Sequence, residues 1–397
     1  MNKKQIIGIV IFVVLVLVII GIKVLGGGDA TGGPGIIAKN LTTVYVATGG
    51  GKEDFISDPD IIKIMQKKYK LNVVYDSWSN GKTVKLPMVR EAIGLGNTNL
   101  SQDSVTIHTE GATPYDALFT SDQRFYDYYK LQPKKEEGEA DRFAVLDGGL
   151  ALYTPIVLYS WKDVADKLIE QGVVTKGEDG IYYITDMNKL INFILEGKSW
   201  GDIGLGDLYG KVNIASTDPV TSSPGATYYG LLLSILSGGE INDQNIGGNL
   251  EKLKTYYLKS GYMNNTPADL FEKYLKTGLG GEPIIVDYEK SLIEFAISNP
   301  NGYESVKDKM VILYPKPTMW NTHCFAAFSE NGKKLYKALQ DEEIQKIAWE
   351  KYGYRTGFAG SDYSAKSIGV NVPKTLTSTV QPLKYDYYNQ LIAHLSS

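Results

Sequence analysis

Three short stretches of the chain place glycines and small hydroxyl residues just beyond predicted strands. They read ATGGGK, FTSDQ and STDPVTSSPGATYYG in chain order. Backbone amides and hydroxyls arranged in this way can hold an anion or another good acceptor without a full positive charge. The candidate ligand-binding residues are Thr48, Gly49, Gly50, Lys52, Thr120, Ser121, Thr221, Ser222, Ser223 and Gly225, with Tyr288 at the end of a later strand.

The third stretch is the most informative, because a short apolar segment runs through a turn into the apolar helix ATYYGLLLSIL. We predict Ser223 as the N-cap, Pro224 at the first helical position and Gly225 next. The first-turn amides then lack partners, and the helix dipole adds partial positive charge there. An ordinary Ser-Pro helix start, with a cap that satisfies its own amides, explains the segment equally well.

Motifs for catalysis, metals and cofactors are weak. A P-loop needs glycine where Val46 stands and Ser or Thr where Glu53 stands. HExxH and EF-hand patterns do not occur. Cys324 is the single cysteine and the three histidines are scattered, which argues against a zinc or redox site. We therefore predict no catalytic residue, no metal site, no cofactor and no enzymatic activity.

Composition narrows the possible partners. Lys and Arg number 41 against 45 Asp and Glu, a formal net charge of -4, so we predict no nucleic-acid partner. The 397 residues, 43% of them hydrophobic, suffice for two or three domains or one large bilobed domain.

The N-terminus predicts the location. Lys3 and Lys4 precede an uncharged apolar run from Ile6 to Ile22. We interpret 1–25 as an uncleaved membrane anchor, with a cleaved signal segment as the alternative, and no cysteine follows it to carry a lipid. The leading lysines favour a cytoplasmic N-terminus, and 26–40 resembles a Gly-rich tether. We therefore expect a protein of the cell membrane whose folded body is extracellular.

The elements that position these turns alternate between strand and helix. VYVA and the run Ala117–Phe119 predict short strands, and a helix capped by Ser57 with Pro59 in its first turn lies between them. FAVLDGGLALYTPIVLYSW predicts one long strand that passes from lobe to lobe. Such alternation predicts an α/β protein with a mainly parallel sheet whose ligands bind beyond the carboxyl ends of the strands.

The second half continues this pattern. Helices are predicted at Trp161–Gly172 and Thr185–Gly197, and a strand at Asp207–Ser216 leads into the third turn. IIVDYEKSLIEFAIS predicts a strand followed by a helix. Two further helices follow in NGKKLYKALQ and DEEIQKIAWEKYGYR.

Taken in order, the motifs carry a family resemblance. GKVNIASTDPVTSSPGATYYGLLL resembles the extracytoplasmic solute-binding proteins of ABC importers, in the molybdate, sulfate and phosphate-like branch of the type II periplasmic-binding-protein fold. VYVATGGG, DALFTSDQ, IIVDYEKS and IQKIAWEKYGYR fit that family in the same order, over about Thr42 to Arg355. Two departures are the GGGK turn, in place of a Ser-containing one, and two extra residues before the proline of the third turn.

The resemblance implies two lobes, each a mainly parallel sheet flanked by helices, with the solute in the cleft between them. It places the first lobe at 41–154, the second at 155–317, and the return to the first lobe with the C-terminal helices at 318–397. It also implies a receptor that hands its solute to an ABC permease.

The identity of the solute stays open at this point. The donors favour an oxyanion, although Asp122, Asp218 and Glu289 oppose a strongly charged one, while 28 Tyr and five Trp suit a carbohydrate or another organic solute. Trp320 and His323 fit either the cleft or the core. One alternative function is a membrane-anchored sensory or assembly module that contacts a protein partner. A surface hydrolase is the other, and it requires a poised acid and base such as Asp122 and Glu289.

Overall fold

The computed structural model describes residues 40–78, 115–131, 145–357, 363 and 369–397. The predicted anchor 1–25 and nearly all of the predicted tether 26–40 lie outside the described residues. Within the described ranges, no helix combines the length and the apolar character that crossing a membrane requires. Residues 41–397 form one unit.

Ten strands are formed in the described part of the chain. They are β1 Thr42–Gly49, β2 Leu71–Trp78, β3 Ala117–Phe119, β4 Asp147–Trp161, β5 Val174–Lys176, β6 Tyr182–Ile184, β7 Ile284–Tyr288, β8 Met310–Pro315, β9 Thr318–Ala327 and β10 Thr379–Val380.

The helices that pack on these strands are mostly amphipathic. They are α1 Glu53–Ile56, α2 Pro59–Ile64 with a π-helical continuation Met65–Tyr69, α3 Gln123–Leu131, α4 Lys162–Glu170, α5 Met187–Leu195, a 3-10 turn Gly201–Ile203, α6 Ser223–Leu236, α7 Ile246–Ser260, α8 Pro267–Thr277, α9 Glu289–Ser298, α10 Pro300–Val306, α11 Glu330–Leu339, α12 Glu342–Tyr352 and α13 Tyr385–Ser396.

The sheet is mixed, which corrects the prediction of a mainly parallel one. Its strand order is β2-β1-β3-β9-β4-β8-β6-β5, with β7 also on β4 and β10 on β9. β1 is parallel to β2 and β3, and β6 is parallel to β8, but β4 and β9 are antiparallel to most of their neighbours. The reason is that the chain crosses the molecule along β4 and returns along β9.

The long strand predicted from FAVLDGGLALYTPIVLYSW is confirmed as β4, and it joins two halves of the structure. Asp147–Pro155 pairs with β9, whereas Ile156–Trp161 pairs with β7 and β8. A hydrophobic core lies on each side of this crossing. We call the half around the smaller core the first lobe and the half around the larger core the second lobe.

The two cores divide the apolar residues cleanly. The first lobe buries side chains from β1, β3, β9, α11 and α12, among them Val44, Val46, Phe119, Phe325, Leu335 and Ile344. The second lobe buries most of α6 together with β7 and β8. The C-terminal helix α13 adds Tyr388, Leu391 and Leu395 to the second core, so residues 318–397 contribute to both lobes.

Two local predictions were wrong. Ser57 does not cap α2, because the Asp58 side chain accepts from the amides of Asp60 and Ile61 instead. Asp207–Ser216 is not a regular strand, since it forms only two isolated bridges, Lys211 to Ser199 and Ala215 to Ile285. Its glycine and polar residues leave few side chains to pack on a pleated surface.

Candidate functional site

Lys52 follows β1 and lies at the centre of a buried polar cluster. Its side chain is fully buried, and its Nζ donates to Ser121 Oγ at 2.7 Å and to the Gly50 carbonyl at 3.3 Å. The same atom lies 3.4 Å from His323 Nδ1. Burial lowers the pKa of Lys52 from 10.5 to about 7, an effect that Glu53 opposes and Lys290 reinforces.

The first two predicted turns are brought together around this lysine. Ser121 Oγ also donates to the Gly50 carbonyl at 3.2 Å. A Cβ on Gly49 would lie 2.3 Å from Ser121 Oγ and 3.3 Å from Lys52 Nζ. Glycine is therefore required at position 49 for the turns to approach this closely.

The two threonines at these strand ends bind backbone instead. Thr48 Oγ1 donates to the Asp76 carbonyl of β2 at 3.3 Å. Thr120 Oγ1 donates to the carbonyls of Asp122, at 2.9 Å, and Cys324, at 3.1 Å. Both threonines are fully buried, so these bonds tie the first-lobe strands together.

The third turn corrects the prediction that Ser223 is the N-cap, and it supplies a partner for one first-turn amide, that of Gly225. Ser222 is the N-cap, and its hydroxyl donates to Thr217 Oγ1 at 2.8 Å. The amide of Gly225 donates to the same oxygen at 3.0 Å. The close approach depends on Gly225, where a Cβ would lie 2.2 Å from the Thr217 carbonyl oxygen.

The remaining residues of this turn do not reach the cluster around Lys52. Thr221 is exposed and Ser223 is half-buried. Among the described residues, no hydrogen bond joins Thr221, Ser222, Ser223 or Gly225 to Lys52 and its partners. Their role in binding a ligand stays a prediction.

Helix α6 meets the lobe junction one turn further on, through Thr227. Asn321 Nδ2 of β9 donates to Thr227 Oγ1 at 3.3 Å. Nearby lies a cavity of about 10 Å³, close to the size of one water molecule. Asp122 and Arg124 of the first lobe line it together with Thr227 and Trp320.

Tyr288 ends β7 and brings the second lobe to the same place. Its side chain is 7% exposed, and its hydroxyl has no hydrogen-bond partner among the described residues. Burial first, then Asp122, raises the pKa of Tyr288 well above 10, so the phenol stays neutral. Its ring lies 6.4 Å from that of His323, edge to face.

His323 and Asn321 were not committed as site residues, yet they line the junction. They lie two residues apart on β9 and therefore face the same side of the sheet. His323 Nε2 and Asn321 Oδ1 are both buried and have no partner among the described residues. The sequence signal is a pair of polar residues at alternate positions of the strand, with the apolar run Cys324–Ala327 after them.

The protonation of His323 follows from its surroundings. Burial lowers its pKa well below 6.5, and the charges of Lys52 and Lys290 lower it further, so the imidazole is neutral. While Lys52 is protonated its Nζ can only donate, so Nδ1 accepts and Nε2 carries the proton. His323 Nε2 and the Tyr288 hydroxyl are thus two buried, unused donors.

Two of the three acidic residues that were expected to oppose an anion are held in ion pairs, whereas Asp218 accepts from the Val220 amide at 2.9 Å. Asp122 accepts from the Nε and Nη2 of Arg124, which also stacks 3.6 Å from the ring of Tyr388. Glu289 is fully buried and accepts from Arg355 Nε at 2.6 Å and Nη2 at 2.9 Å. Both carboxylates are therefore neutralised in place.

Metal ligands are scarce in the described ranges. No group of three or more His, Cys, Asp or Glu side chains there could hold a metal ion. Burial raises the pKa of Cys324 to about 12, so its sulfur is a thiol and not a thiolate ligand.

With the fold and the junction described, the chain can be compared with known proteins. No family model matches the sequence, and no curated protein matches it either. Solved structures do match: the chain has the fold of extracellular and periplasmic solute-binding proteins, the type II fold that the sequence motifs implied.

Three of these structures illustrate the likeness. The apo ferric ion-binding protein A of Pasteurella haemolytica is 13% identical with a TM-score of 0.55, over 89% of this chain and 96% of that one. An extracellular solute-binding protein from Bordetella parapertussis is 14% identical with a TM-score of 0.54, over 91% and 98%. The sulfate-binding protein SubI of Mycobacterium tuberculosis is 12% identical with a TM-score of 0.50, over 90% and 96%.

Identities of this size show a shared fold and no more. One neighbour is named for ferric ion and another for sulfate. The comparisons therefore do not select the molybdate, sulfate and phosphate-like branch that the motifs suggested.

Proposed function

We propose that this protein is an extracellular solute-binding receptor that captures a small solute between its lobes and delivers it to an ABC permease. The observation that carries the proposal is the lobe junction itself. First-lobe groups on β1, β3 and β9 meet Tyr288 of the second lobe there, and two donors are buried without partners. Buried polar groups are normally hydrogen-bonded, so unused donors at a junction between lobes point to a ligand.

The same arrangement suggests how the solute is held. Lys52, Ser121, His323 and Tyr288 are all buried, so the described arrangement of the lobes is closed. Solute entry requires the lobes to separate, and the strands β4 and β9 that cross between them are the natural place for bending. When the lobes close, polar groups of both lobes can form hydrogen bonds with the solute between them.

We do not propose the hydrolase alternative. It needs a poised carboxylic acid and carboxylate, and the two candidates, Asp122 and Glu289, are each occupied by an arginine. A sensory or assembly module is the alternative function. In that case the closed lobes would contact a signalling or assembly protein, whereas in transport they would contact the permease.

The location belongs to the proposal as well. An uncharged run from Ile6 to Ile22 behind two lysines suits a membrane anchor, and a Gly-rich tether would hold the folded unit 41–397 outside the cell. This placement puts the receptor beside a permease in the same membrane.

Thermal unfolding of the purified full-length chain against a panel of oxyanions, sugars, amino acids and metal ions tests the proposal. We expect at least one solute to raise the unfolding temperature, because a ligand that binds only the folded state stabilises it. Tyr288→Phe, which removes one junction hydroxyl and keeps the ring, should reduce that shift. A panel without any shift would contradict the proposed function.

A further inference from the structure

Most buried charges near the lobe junction are paired, and the exceptions among the described residues are Lys52 and the carboxyl group of Asp287, whose pKa burial raises to about 7. Arg124 pairs with Asp122, Arg355 with Glu289, and Lys290 Nζ with Glu294 at 2.7 Å. Lys52 is as deeply buried as any of them. Across the described residues, however, no carboxylate lies within ion-pair distance of its Nζ.

A buried cation without a counter-ion is costly, and protein structures rarely keep one without a use. The neighbours of Lys52 Nζ are a hydroxyl, a carbonyl and an imidazole nitrogen, which satisfy its hydrogen bonds but not its charge. In the ligand-free protein, the cost of burying the Lys52 charge is lowered only when the ammonium group loses a proton. A bound anion would supply the missing charge.

The atoms around this lysine also favour an acceptor as the ligand. His323 Nε2 is a donor, since Nδ1 is taken by Lys52, and the neutral Tyr288 hydroxyl is a second donor. Both belong to side chains that are at least nine-tenths buried. The junction therefore offers an unpaired ammonium group and, beyond the imidazole ring, two unused donors, which suits a solute that has an anionic group and further acceptor atoms.

We propose that the solute carries an anionic oxygen-bearing group, and that Lys52 neutralises this group and takes up a proton as the solute binds. Lys52 holds the anionic group, whereas His323 Nε2, on the far side of the imidazole ring from Lys52, and the Tyr288 hydroxyl donate to other acceptor atoms of the solute. This inference rests on the proposed function, because it names the class of solute and a coupling to protons at the same junction.

A ferric ion fits this site poorly. A trivalent cation would meet the buried ammonium group of Lys52, and no group of three or more His, Cys, Asp or Glu side chains in the described ranges could hold it. A neutral carbohydrate would leave the charge of Lys52 without a partner. The experiment below therefore compares anions with ferric ion and with a neutral sugar.

The direction of the pH dependence follows from the groups that face Lys52. Lys290 of α9 disfavours its protonation, while Glu53 of α1 favours it, and His323 of β9 is neutral. Tyr354 contributes a buried, neutral phenol. Because the pKa of Lys52 is about 7 without ligand, anion binding should weaken as the pH rises above 7.

Calorimetric titration of the full-length chain provides the test, with sulfate, nitrate and succinate as probes because their charges stay constant from pH 7 to pH 9. Glucose and ferric ion alone are the comparison solutes. Repeating the titration in two buffers of different ionisation enthalpy gives the number of protons taken up. We expect one of the anions to bind with uptake of close to one proton at pH 8, and to bind roughly 50-fold more weakly at pH 9 than at pH 7.

Substitutions of Lys52 and of a surface lysine test whether Lys52 itself is the cation that holds the anion. Lys52→Met should abolish anion binding, whereas Lys52→Arg, whose charge does not titrate in this range, should bind without the pH dependence. Lys68→Met is the matched control, since Lys68 lies on the surface and pairs with Asp341 and Glu343. It should bind as the unaltered chain does.

Each outcome decides the inference. Binding of an anion without proton uptake, or equal binding by Lys52→Met, would overturn it. Binding of glucose or ferric ion with no response to any of the three anions would also overturn it, while the proposed solute-binding function would stand. A chain that binds nothing in either group would contradict both.

Discussion

Replacing Lys52 with methionine should stabilise the ligand-free protein at low pH and lose that benefit at high pH. Methionine has a similar length and carries no charge. In the folded protein the pKa of Lys52 is lowered from 10.5 to about 7. The free-energy cost of burying the charged Lys52 side chain is therefore fully present below pH 7, and it decreases as the pH rises from 7 towards 10.5.

The magnitude can be worked out from the contacts. The lowered pKa corresponds to a penalty of about 5 kcal/mol at pH 6 and about 2 kcal/mol at pH 9. Against this, the substitution removes the hydrogen bonds to Ser121 and His323, with a loss of about 3 kcal/mol including the unsatisfied imidazole nitrogen. Lys52→Met should therefore gain about 2 kcal/mol at pH 6 and lose about 1 kcal/mol at pH 9.

Thermal unfolding of both chains from pH 6 to pH 9 in the absence of solute is the assay. For a unit of this length 1 kcal/mol corresponds to about 1.3 °C, so the difference should change by about 4 °C and reverse its sign. His323 stays neutral throughout and does not contribute. A difference that is constant across this range would refute the assignment of Lys52 as a buried, uncompensated cation.

Further substitutions test other parts of the structure. Glu289→Ala leaves Arg355 buried without its partner and should destabilise the protein by about 3–5 kcal/mol, measured by thermal unfolding, and no loss would show that the pair is not buried as described. Gly225→Ala should cost about 1–3 kcal/mol by the same measurement, because its Cβ would collide with the Thr217 carbonyl, and an unchanged midpoint would contradict the tight turn. Tyr288→Phe should leave the stability of the ligand-free protein unchanged, because its hydroxyl has no partner among the described residues, and a marked loss would reveal a structural role.

Much of the fold follows from local sequence patterns. The helices at Lys162–Glu170 and Met187–Leu195 and the strand–helix unit at Ile284–Ser298 were predicted because their apolar spacing and caps are local properties. The long strand β4 was likewise predicted from its apolar run. Strand direction is different, since no local pattern records that β4 and β9 cross between lobes and make the sheet mixed.

The candidate site was predictable in part. The turns that contain Gly49, Lys52 and Ser121 were expected to meet, and they do. The partner of the Gly225 amide could not be anticipated, since Thr217 reaches it only through a close backbone approach. The sequence left His323 open between the cleft and the core, and it joins the cluster because β9 places its side chain against Lys52.

The pairing of buried charges was the least accessible feature. Asp122 and Glu289 looked unfavourable for an anion when only their types were known. The structure neutralises each with an arginine, and Arg355 lies 66 residues from Glu289 in the chain. Long-range ion pairs of this kind decide the net charge of a site, and a single sequence does not reveal them.

The central claim is that a solute binds between the lobes, and a crystal structure of the full-length chain with the most stabilising solute tests it most directly. We predict density for the solute at the junction, within hydrogen-bond distance of Lys52 and of Tyr288 or His323. Density for that solute at a surface away from both lobes' strand ends, with the junction unchanged, would contradict the account.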